Sequence, residues 1–195
     1  RDLHVDAMAH LTCVGATRPE LSAYLEEARG LGIENILALR GDPPAGQASF
    51  QPVEGGLTRA VELVQLLKTL TGFSIGVAGF PEGHPDCQGD KYANWEHLRQ
   101  KVEAGAQFVI TQLFFDNRAY FEFVEHLRDR MGVRVPLIPG ILPVVSAAQL
   151  KRMASMCGAS IPAALQAGLD RLGADDEAMT EYGIAAYYIV APCEA

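Results

Sequence analysis

The sequence predicts an α/β fold in which a parallel sheet is covered by helices. Two observations support this prediction: short apolar runs alternate with helical patterns five times, and the strand-to-helix loops are longer than the helix-to-strand turns. Almost wholly apolar strands separated by helices are typical of parallel sheets buried on both faces. Two closures of the sheet satisfy this pattern, an open doubly wound sheet or a (β/α)8 barrel.

The first unit begins with the apolar run 7–12, which is predicted to be a strand. Thr17 is the expected N-cap of the helix that follows, because Glu20 stands at the capping-box position three residues later. That helix is expected to continue to about Leu31. Gly32 lies just beyond its end, where glycine commonly terminates helices.

The second unit joins a predicted strand at 35–39 (NILAL) to a predicted helix at 56–70. A long loop rich in Gly and Pro separates the two elements. In the helix, apolar residues recur at the spacing of one helical face, at Ala60, Leu63, Val64 and Leu67. Periodicity of this kind indicates that one face packs on the sheet.

The remaining units repeat the same alternation. The further strands are predicted at residues 73–79, 108–113 and 135–139. The further helices are predicted at residues 90–104, 119–131, 146–157 and 162–172, and from 175 onward. The whole chain, 1–195, is interpreted as one domain, with an atypical end over 185–195.

Composition excludes several classes of protein. The chain has 195 residues with a formal net charge of −8, so it lacks the basic character expected of a nucleic-acid-binding protein. No apolar run approaches the ~20 residues that a membrane-spanning helix needs. The four cysteines are widely spaced and include no CxxC pair, which favours reduced thiols and a cytoplasmic protein.

Polar residues cluster directly after the predicted strands, where both architectures place their binding sites. They are Thr12, Arg40-Gly41-Asp42, Glu82, His84, Gln112 and Asp116. No GxGxxG or GxxxxGK[ST] motif follows any strand, which weighs against an open nucleotide-binding sheet. From position alone, we expect an enzyme with a ligand at the carboxyl edge of its sheet.

Each candidate residue also has a purely structural interpretation. The Arg40–Asp42 turn could be an ordinary loop with a surface ion pair, and His84 a surface histidine held between two prolines. Lys101 could interact favourably with the carboxyl end of its own helix. His10 could be a hydrogen-bonded core residue, and Gln112 could cap the rim of the sheet.

Metal chemistry and nucleophilic catalysis find no support in the sequence. His84 and His97 are 13 residues apart, and no HxxxH or carboxylate–histidine helix pair accompanies them, so no metal site is expected. No GxSxG motif is present. Cys13 follows a strand, but no residue near it in sequence identifies an activating base.

Six segments together resemble the methylenetetrahydrofolate reductase family. They are AHLTC (9–13), NILALRGDPP (35–44), AGFPEGHPD (78–86), HLRQKVEAGAQFVITQLFFDN (97–117), PLIPGILPV (136–144) and EYGI (181–184). They occur in family order and with family spacing over nearly the whole chain. Any one segment alone is a weak signal, whereas the combination is very specific.

The resemblance implies a (β/α)8 barrel that binds FAD, of which this chain holds about strands 3 to 7. It implies reduction of 5,10-methylenetetrahydrofolate to 5-methyltetrahydrofolate, in one-carbon metabolism and methionine biosynthesis. NADH or NADPH would reduce the flavin and leave before the folate arrives. The family further implies a homo-oligomer at full length, with folate and a nicotinamide as its small-molecule partners.

The resemblance also assigns roles to individual residues. The cofactor-binding positions are His10, Arg40, Gly41, Asp42, Ala60, Phe80, His84, His97 and Lys101. Asp42 is also the family's carboxylate near the flavin and the folate, and its charge would stabilise a cationic iminium intermediate. Gln112 matches the glutamine that contacts both folate and nicotinamide. Asp42 and Gln112 are therefore the substrate-binding positions.

The chain departs from the family pattern at several of these places. Many bacterial members of the family have Tyr at the position of Phe80. Arg59 replaces the aromatic residue that is usual just before Ala60. Asp is common at the position of Asn94, and a basic residue at that of Gln100. Ala147 falls near an aromatic residue that often stacks on substrate.

The family's first strands, one of which carries the general-acid glutamate, and its last strand have no counterpart in this sequence. We therefore expect the 195-residue chain to be inactive alone. Two other functions remain open: a flavin- or folate-binding module without catalysis, and another flavin barrel such as a proline dehydrogenase. An open half-barrel that binds nothing and self-associates through exposed strand edges is a further alternative.

Overall fold

A computed structural model of the chain describes residues 6–43, 46, 49–87, 89–173 and 175–190. It confirms an α/β fold built on five strands. The strands are β1 (Met8–Thr12), β2 (Asn35–Leu39), β3 (Ser74–Gly79), β4 (Phe108–Leu113) and β5 (Leu137–Gly140). The helices are α1 (Arg18–Gly30), α2 (Ala60–Thr69), α3 (Lys91–Glu103), α4 (Asn117–Glu125), α5 (Ala147–Cys157), α6 (Ala163–Leu172) and α7 (Asp176–Val190).

The five strands form one sheet in sequence order, β1-β2-β3-β4-β5. The β1–β2 and β2–β3 ladders are parallel, with Met8 opposite Asn35 and Asn35 opposite Ser74. A helix follows each of these strands, as the connection between parallel neighbours requires. The predicted strands therefore exist, pair in order and share one direction where their ladders are defined.

Helix α1 begins as the sequence predicts. The Thr17 hydroxyl accepts a hydrogen bond from the Glu20 amide, and the Glu20 carboxylate accepts one from the Thr17 amide at 2.8 Å. The bonds that the Glu20 carboxylate accepts from the Thr17 amide and the Thr17 hydroxyl lower the pKa of this carboxyl. The capping box satisfies two backbone donors that would otherwise lack partners at the start of the helix.

Helix α2 begins four residues later than predicted, at Ala60 rather than at 56. Gly56 forms an antiparallel bridge with Thr17, and the Gly55 carbonyl accepts a hydrogen bond from the Arg18 amide at 3.0 Å. This pairing holds the chain extended where helical periodicity alone would start the helix. The Thr58 amide and hydroxyl then donate to the Glu62 carboxylate, which closes the first turn.

Two boundaries in the second half also differ from the prediction. The helix predicted at 119–131 is regular only to Glu125, and it continues as a π-helical turn over His126–Arg130. Strand β5 covers Leu137–Gly140 rather than the predicted 135–139, and the Gly140 amide donates to the Thr111 hydroxyl on β4 at 2.9 Å. A Cβ on Gly140 would lie 2.1 Å from the Thr111 carbonyl oxygen, so only glycine fits there.

The described chain divides into two compact units. The first comprises the residues up to 78 together with 97–110 and 133–137. Its core consists of apolar side chains from the strands and from helices α1 and α2, which are Leu21, Leu25, Ile36, Ala38, Leu63, Leu67, Ile75 and Val77. These are the positions at which the strand and helix patterns place apolar residues inward.

The second unit comprises residues 79–96 and 111–132 and the chain from 138 onward. One part of its core is an aromatic cluster in which the buried Trp95 ring contacts the rings of Tyr92, Phe123 and His126. Another part is the buried cluster Val144, Leu150, Leu169 and Met179. Large aromatic rings in edge-to-face contact stabilise such a core beyond the area that they bury.

No helix among the described residues is long and apolar enough to cross a membrane. Among the described residues, Cys13, Cys87 and Cys157 form no disulfide bond, and Cys193 lies outside the described part of the chain. Pro44 of the RGDPP segment and residues 191–195 of the predicted atypical end also lie outside it.

Candidate functional site

The Arg40-Gly41-Asp42 turn follows β2 and is held against the segment that follows β1. The Cys13 amide donates to the Arg40 carbonyl at 3.0 Å, which extends the strand pairing into the loop. Gly41 has a φ of +88°, and a Cβ there would lie 2.5 Å from Val14 Cγ2 and 3.0 Å from Thr12 Cβ. The backbone conformation and the close packing therefore both require glycine.

The two charged side chains of this turn differ in their surroundings. Arg40 is half-buried; its Nε donates to the Gly41 carbonyl at 3.2 Å, and its guanidinium lies 5.6 Å from the Phe50 ring centroid. Asp42 is exposed. The turn thus presents a positioned cation beside an accessible carboxylate.

Cys13 joins three segments of the first unit, a role that reasoning from the sequence missed. Its side chain is fully buried, and its Sγ lies 3.5 Å from the Leu39 carbonyl and 3.7 Å from the Arg59 carbonyl. Burial raises the pKa of this thiol from 9.0 to about 11, so it stays protonated and can donate. The sequence carries no signal of these contacts, since they join residues 26 and 46 positions apart.

His10 and Ala60 flank this junction. His10 lies in the middle of β1 and is exposed, so the interpretation as a core histidine does not hold. Ala60 is the first residue of α2 and is half-buried. At the same helix start, the Thr58 amide and hydroxyl donate to the Glu62 carboxylate.

Lys101 turns from α3 toward β3. Its Nζ donates to the Ala78 carbonyl at 2.7 Å, one residue before the end of the strand. Burial of the amine lowers the pKa of Lys101 from 10.5 to about 8. The ammonium is therefore not at the carboxyl end of its own helix. His97, one turn earlier on α3, is exposed.

The loop after β3 belongs to the second unit and carries Phe80 and His84. The Phe80 carbonyl accepts hydrogen bonds from the Trp95 indole at 2.9 Å and from the Gly83 amide at 3.0 Å. The Phe80 and His84 rings pack edge-to-face with centroids 4.7 Å apart. His84 Nδ1 accepts from the Asp86 amide at 3.1 Å, so the neutral ring carries its proton on Nε2.

Gln112 is the penultimate residue of β4 and is half-buried. Its Oε1 accepts a hydrogen bond from the amide of the next residue, Leu113, at 2.9 Å. This local bond fixes the side-chain amide so that its NH2 group is the part that can donate to a ligand. Gln112 thus lies at a strand end, as the sequence predicts, and its role toward a substrate stays a prediction.

The residues that depart from the family pattern lie in different surroundings. Ala147 packs against the buried cluster around Val144, so its methyl group is part of the core. Asn94 donates to the Cys87 sulfur at 3.6 Å, and Arg59 is the N-cap of α2 without a side-chain cap bond. Gln100 is exposed on α3.

Two further findings concern ligand-binding capacity. Within the described ranges, no group of three or more His, Cys, Asp or Glu side chains could hold a metal ion. The second unit has a shallow apolar groove of about 280 Å³. It is lined by Ile141, Pro143, Val144, Val145, Thr180, Gly183 and Ile184. None of the predicted site residues lines this groove.

Comparison with known proteins bears on the identity of this site. A family model described as Methylenetetrahydrofolate reductase matches residues 1–192. The chain is 42% identical over 190 residues to Methylenetetrahydrofolate reductase (NADH) 1 of Arabidopsis thaliana, covering 92% of this chain and 32% of that protein. It is 41% identical over 179 residues to the 5,10-methylenetetrahydrofolate reductase of Escherichia coli (strain K12), covering 90% and 56%.

A third relative, Probable methylenetetrahydrofolate reductase (NADPH) of Caenorhabditis elegans, is 38% identical over 181 residues, covering 92% of this chain and 26% of its own length. A solved dihydropteroate synthase from Xanthomonas albilineans aligns over 78% of this chain and 57% of its own, with 18% identity and a TM-score of 0.43. That similarity is too low to bear on fold or function.

The chain spans about a third of the length of its plant relatives and about half that of the bacterial one. The matched region nevertheless includes each strand-end segment described above, from the residues of β1 to those of α7. With the family model matched over nearly every residue, this chain belongs to the methylenetetrahydrofolate reductase family.

Proposed function

We propose that this chain is part of a flavin-dependent enzyme that reduces 5,10-methylenetetrahydrofolate to 5-methyltetrahydrofolate, with NADH or NADPH as the hydride donor. The observation that carries the proposal is the Arg40–Asp42 turn, whose Arg40 carbonyl accepts a hydrogen bond from the Cys13 amide. The chain that contains this turn matches the family model over residues 1–192. The sheet order β1 to β5 supports a (β/α)8 barrel as the complete architecture. A cytoplasmic homo-oligomer at full length completes the proposal.

The residues of the first unit fit the chemistry of FAD. The half-buried Lys101 ammonium, which donates to a carbonyl of β3, is a suitable partner for a pyrophosphate, because a partly buried cation is screened less than one in bulk solvent. The Arg40–Gly41 backbone can approach a flat ring system closely, since Gly41 carries no side chain. Asp42, His10, Ala60 and His97 are further cofactor-binding positions that we propose in this unit. Phe80 and His84 are proposed as cofactor-binding positions from the family resemblance alone.

When bound, FAD supplies a hydride acceptor and donor that links the nicotinamide to the folate. The role of Asp42 is electrostatic: its exposed carboxylate would stabilise the cationic iminium form of the one-carbon unit as the folate ring opens. Gln112 would orient each substrate in turn through its amide, since its Oε1 is already engaged by Leu113. A residue that both substrates use is consistent with ordered exchange at one site.

The test of this proposal uses the complete gene product and its Asp42→Asn variant. The variant keeps the size of the side chain but removes its charge, so we expect turnover of methylenetetrahydrofolate to fall by about tenfold to a thousandfold. Flavin reduction by the nicotinamide should change much less, because that half-reaction forms no folate cation. Asp170→Asn, on the exposed surface of α6, is the matched control.

Three outcomes would contradict the proposal. One is a complete gene product that binds no flavin, and another is turnover of proline in place of methylenetetrahydrofolate. The third is a flavin- and folate-binding protein that neither NADH nor NADPH reduces, which would indicate a module without catalysis. Comparing the two nicotinamides in the same assay determines the donor, which differs among the relatives named above.

A further inference from the structure

We propose that Glu82 is a positioning residue, which holds the loop after β3 so that His84 presents its Nε2–H group to the ligand. The part of the proposal that concerns the ligand rests on the proposed function, in which His84 contacts the cofactor. The part that concerns the loop rests on contacts within the second unit alone. No motif or comparison assigns a role to this carboxylate.

The Glu82 carboxylate is committed to two hydrogen-bond donors of one residue. Its Oε1 and Oε2 lie 3.2 and 3.1 Å from the Ser160 amide nitrogen, and the Ser160 hydroxyl also donates to Oε2. Ser160 lies 78 residues away in sequence, in the turn between α5 and α6. A carboxylate that accepts bonds from both an amide and a hydroxyl is held in one orientation, which suits an anchor better than a proton donor.

A second contact joins the same loop to the same turn. Gly158 ends α5 with a φ of +69°, and a Cβ there would lie 3.0 Å from Pro85 Cγ. Glu82 and Pro85 therefore touch the α5–α6 turn on either side of His84. The upstream end of the loop is fixed separately, since the Trp95 indole donates to the Phe80 carbonyl.

The histidine between these anchors has a defined tautomer. Its Nδ1 accepts from the Asp86 amide at 3.1 Å, whereas the Asp86 carboxylate lies at 3.7 Å from the same nitrogen, beyond hydrogen-bond distance. In the neutral ring the proton is therefore on Nε2, and that nitrogen is a donor. The bond requires His84 and Asp86 to keep their relative orientation at the start of the short 3-10 helix Pro85–Cys87. If the Glu82 anchor is lost, this orientation is no longer enforced from the α5–α6 turn.

The strength of the hydrogen bonds between Glu82 and Ser160 determines which property of the protein to measure. The Glu82–Ser160 bonds are exposed to solvent, so they contribute modestly to the stability of the whole protein. Their effect should appear as local order of the loop rather than as a large change in melting temperature. Side-chain nitrogen chemical shifts of His84 and amide exchange at Ser160 report that order directly.

The experiment compares 15N-labelled wild-type chain with Glu82→Ala, Glu82→Gln and Ser160→Ala. In Glu82→Ala we expect the Ser160 amide to exchange about tenfold faster and the His84 ring to become a mixture of tautomers. Glu82→Gln should lie between, because its amide oxygen still accepts the Ser160 N–H bond. Asp170→Asn, which removes a carboxylate bonded to Lys151 and Gln166 elsewhere in the second unit, should change neither signal.

The proposal is wrong if Glu82→Ala folds normally and keeps the wild-type His84 tautomer and Ser160 exchange rate. If that variant does not fold, Ser160→Ala and Glu82→Gln provide the same comparison with smaller changes. In the complete gene product, titration calorimetry should show a roughly fivefold or larger rise in the Kd for FAD in Glu82→Ala. An unchanged Kd for FAD refutes the positioning role. A wild-type protein that binds no FAD refutes the proposed function instead. In that case the tautomer and exchange measurements alone determine whether Glu82 orders the loop.

Discussion

The Cys13 thiol donates to the carbonyl of Arg59 across 3.7 Å, and so ties the segment after β1 to the N-cap residue of α2. The same sulfur lies 3.5 Å from the Leu39 carbonyl at the end of β2. One buried side chain therefore connects the three segments that carry His10, the Arg40–Asp42 turn and Ala60. The arrangement explains how a small apolar core can hold these partly exposed residues in place.

The first prediction concerns the reactivity of the cysteines. Because burial raises the pKa of Cys13 to about 11, this thiol should resist alkylation of the native chain at about pH 8. Cys87 and Cys157 are only half-buried and should react first. Peptide mass spectrometry before and after addition of urea measures the difference, and labelling of native Cys13 at the rate of Cys87 would contradict it.

The second prediction concerns Lys101 and alkaline stability. Burial lowers the pKa of this amine from 10.5 to about 8, so between these pH values the unfolded chain holds a proton that the folded chain has released. Rising pH therefore favours the folded state through this group. In Lys101→Met this increase of folding stability with pH should be absent. Lys68→Met, at an exposed lysine of α2, should retain it.

Urea unfolding midpoints at about pH 7.5 and 10 test the Lys101 prediction, because they bracket the folded pKa. The informative quantity is the difference between wild type and Lys101→Met at each pH, since other groups also titrate in this range. An equal difference at both pH values would show that the amine titrates as it does in solvent.

The third prediction concerns Gly41 in the turn after β2. Gly41→Ala should lower the free energy of unfolding by about 1–3 kcal/mol, because the backbone is left-handed and the new methyl group meets Val14 at 2.5 Å. Adding Val14→Ala should recover part of the loss by removing the steric contact, but not the backbone strain. Chemical denaturation of the two variants separates these contributions, and full recovery would exclude strain.

The fourth prediction compares the same substitution at two helical glycines. A Cβ on Gly183 in α7 would lie 2.1 Å from the Val144 carbonyl oxygen, whereas a Cβ on Gly30 in α1 meets nothing within 4 Å. We expect Gly183→Ala to lower the melting temperature sharply, because backbone atoms must move apart. Gly30→Ala should leave it unchanged or raise it slightly through higher helix propensity. Calorimetric melting measures both, and equal effects would contradict the prediction.

The elements set by local chemistry could be predicted from the sequence. The Thr17–Glu20 capping box lies within four residues, and the α1 start was found where this pattern places it. The alternation of apolar strands and helices predicted the five strands, because each signal is periodic and local. Their order in the sheet was left open by the two possible closures, and the structure supplies it.

Features that depend on distant residues could not be predicted. The late start of α2 comes from the pairing of Gly56 with Thr17, about 40 positions earlier in the chain. The Lys101 ammonium binds a carbonyl of β3, although its place in sequence suggested the end of its own helix. The contacts of Cys13 in the candidate site also could not be predicted, because a single cysteine belongs to no periodic pattern or motif.

The tryptophan at position 95 is the only one in the chain, and its N–H group is engaged by the carbonyl of Phe80. The ultraviolet emission of the protein at tryptophan wavelengths therefore comes from one indole, buried beside the loop that carries His84. A change in that loop alters the hydrogen bond and the polarity around this ring. The protein thus contains an intrinsic optical reporter of its own candidate site, which needs no added label.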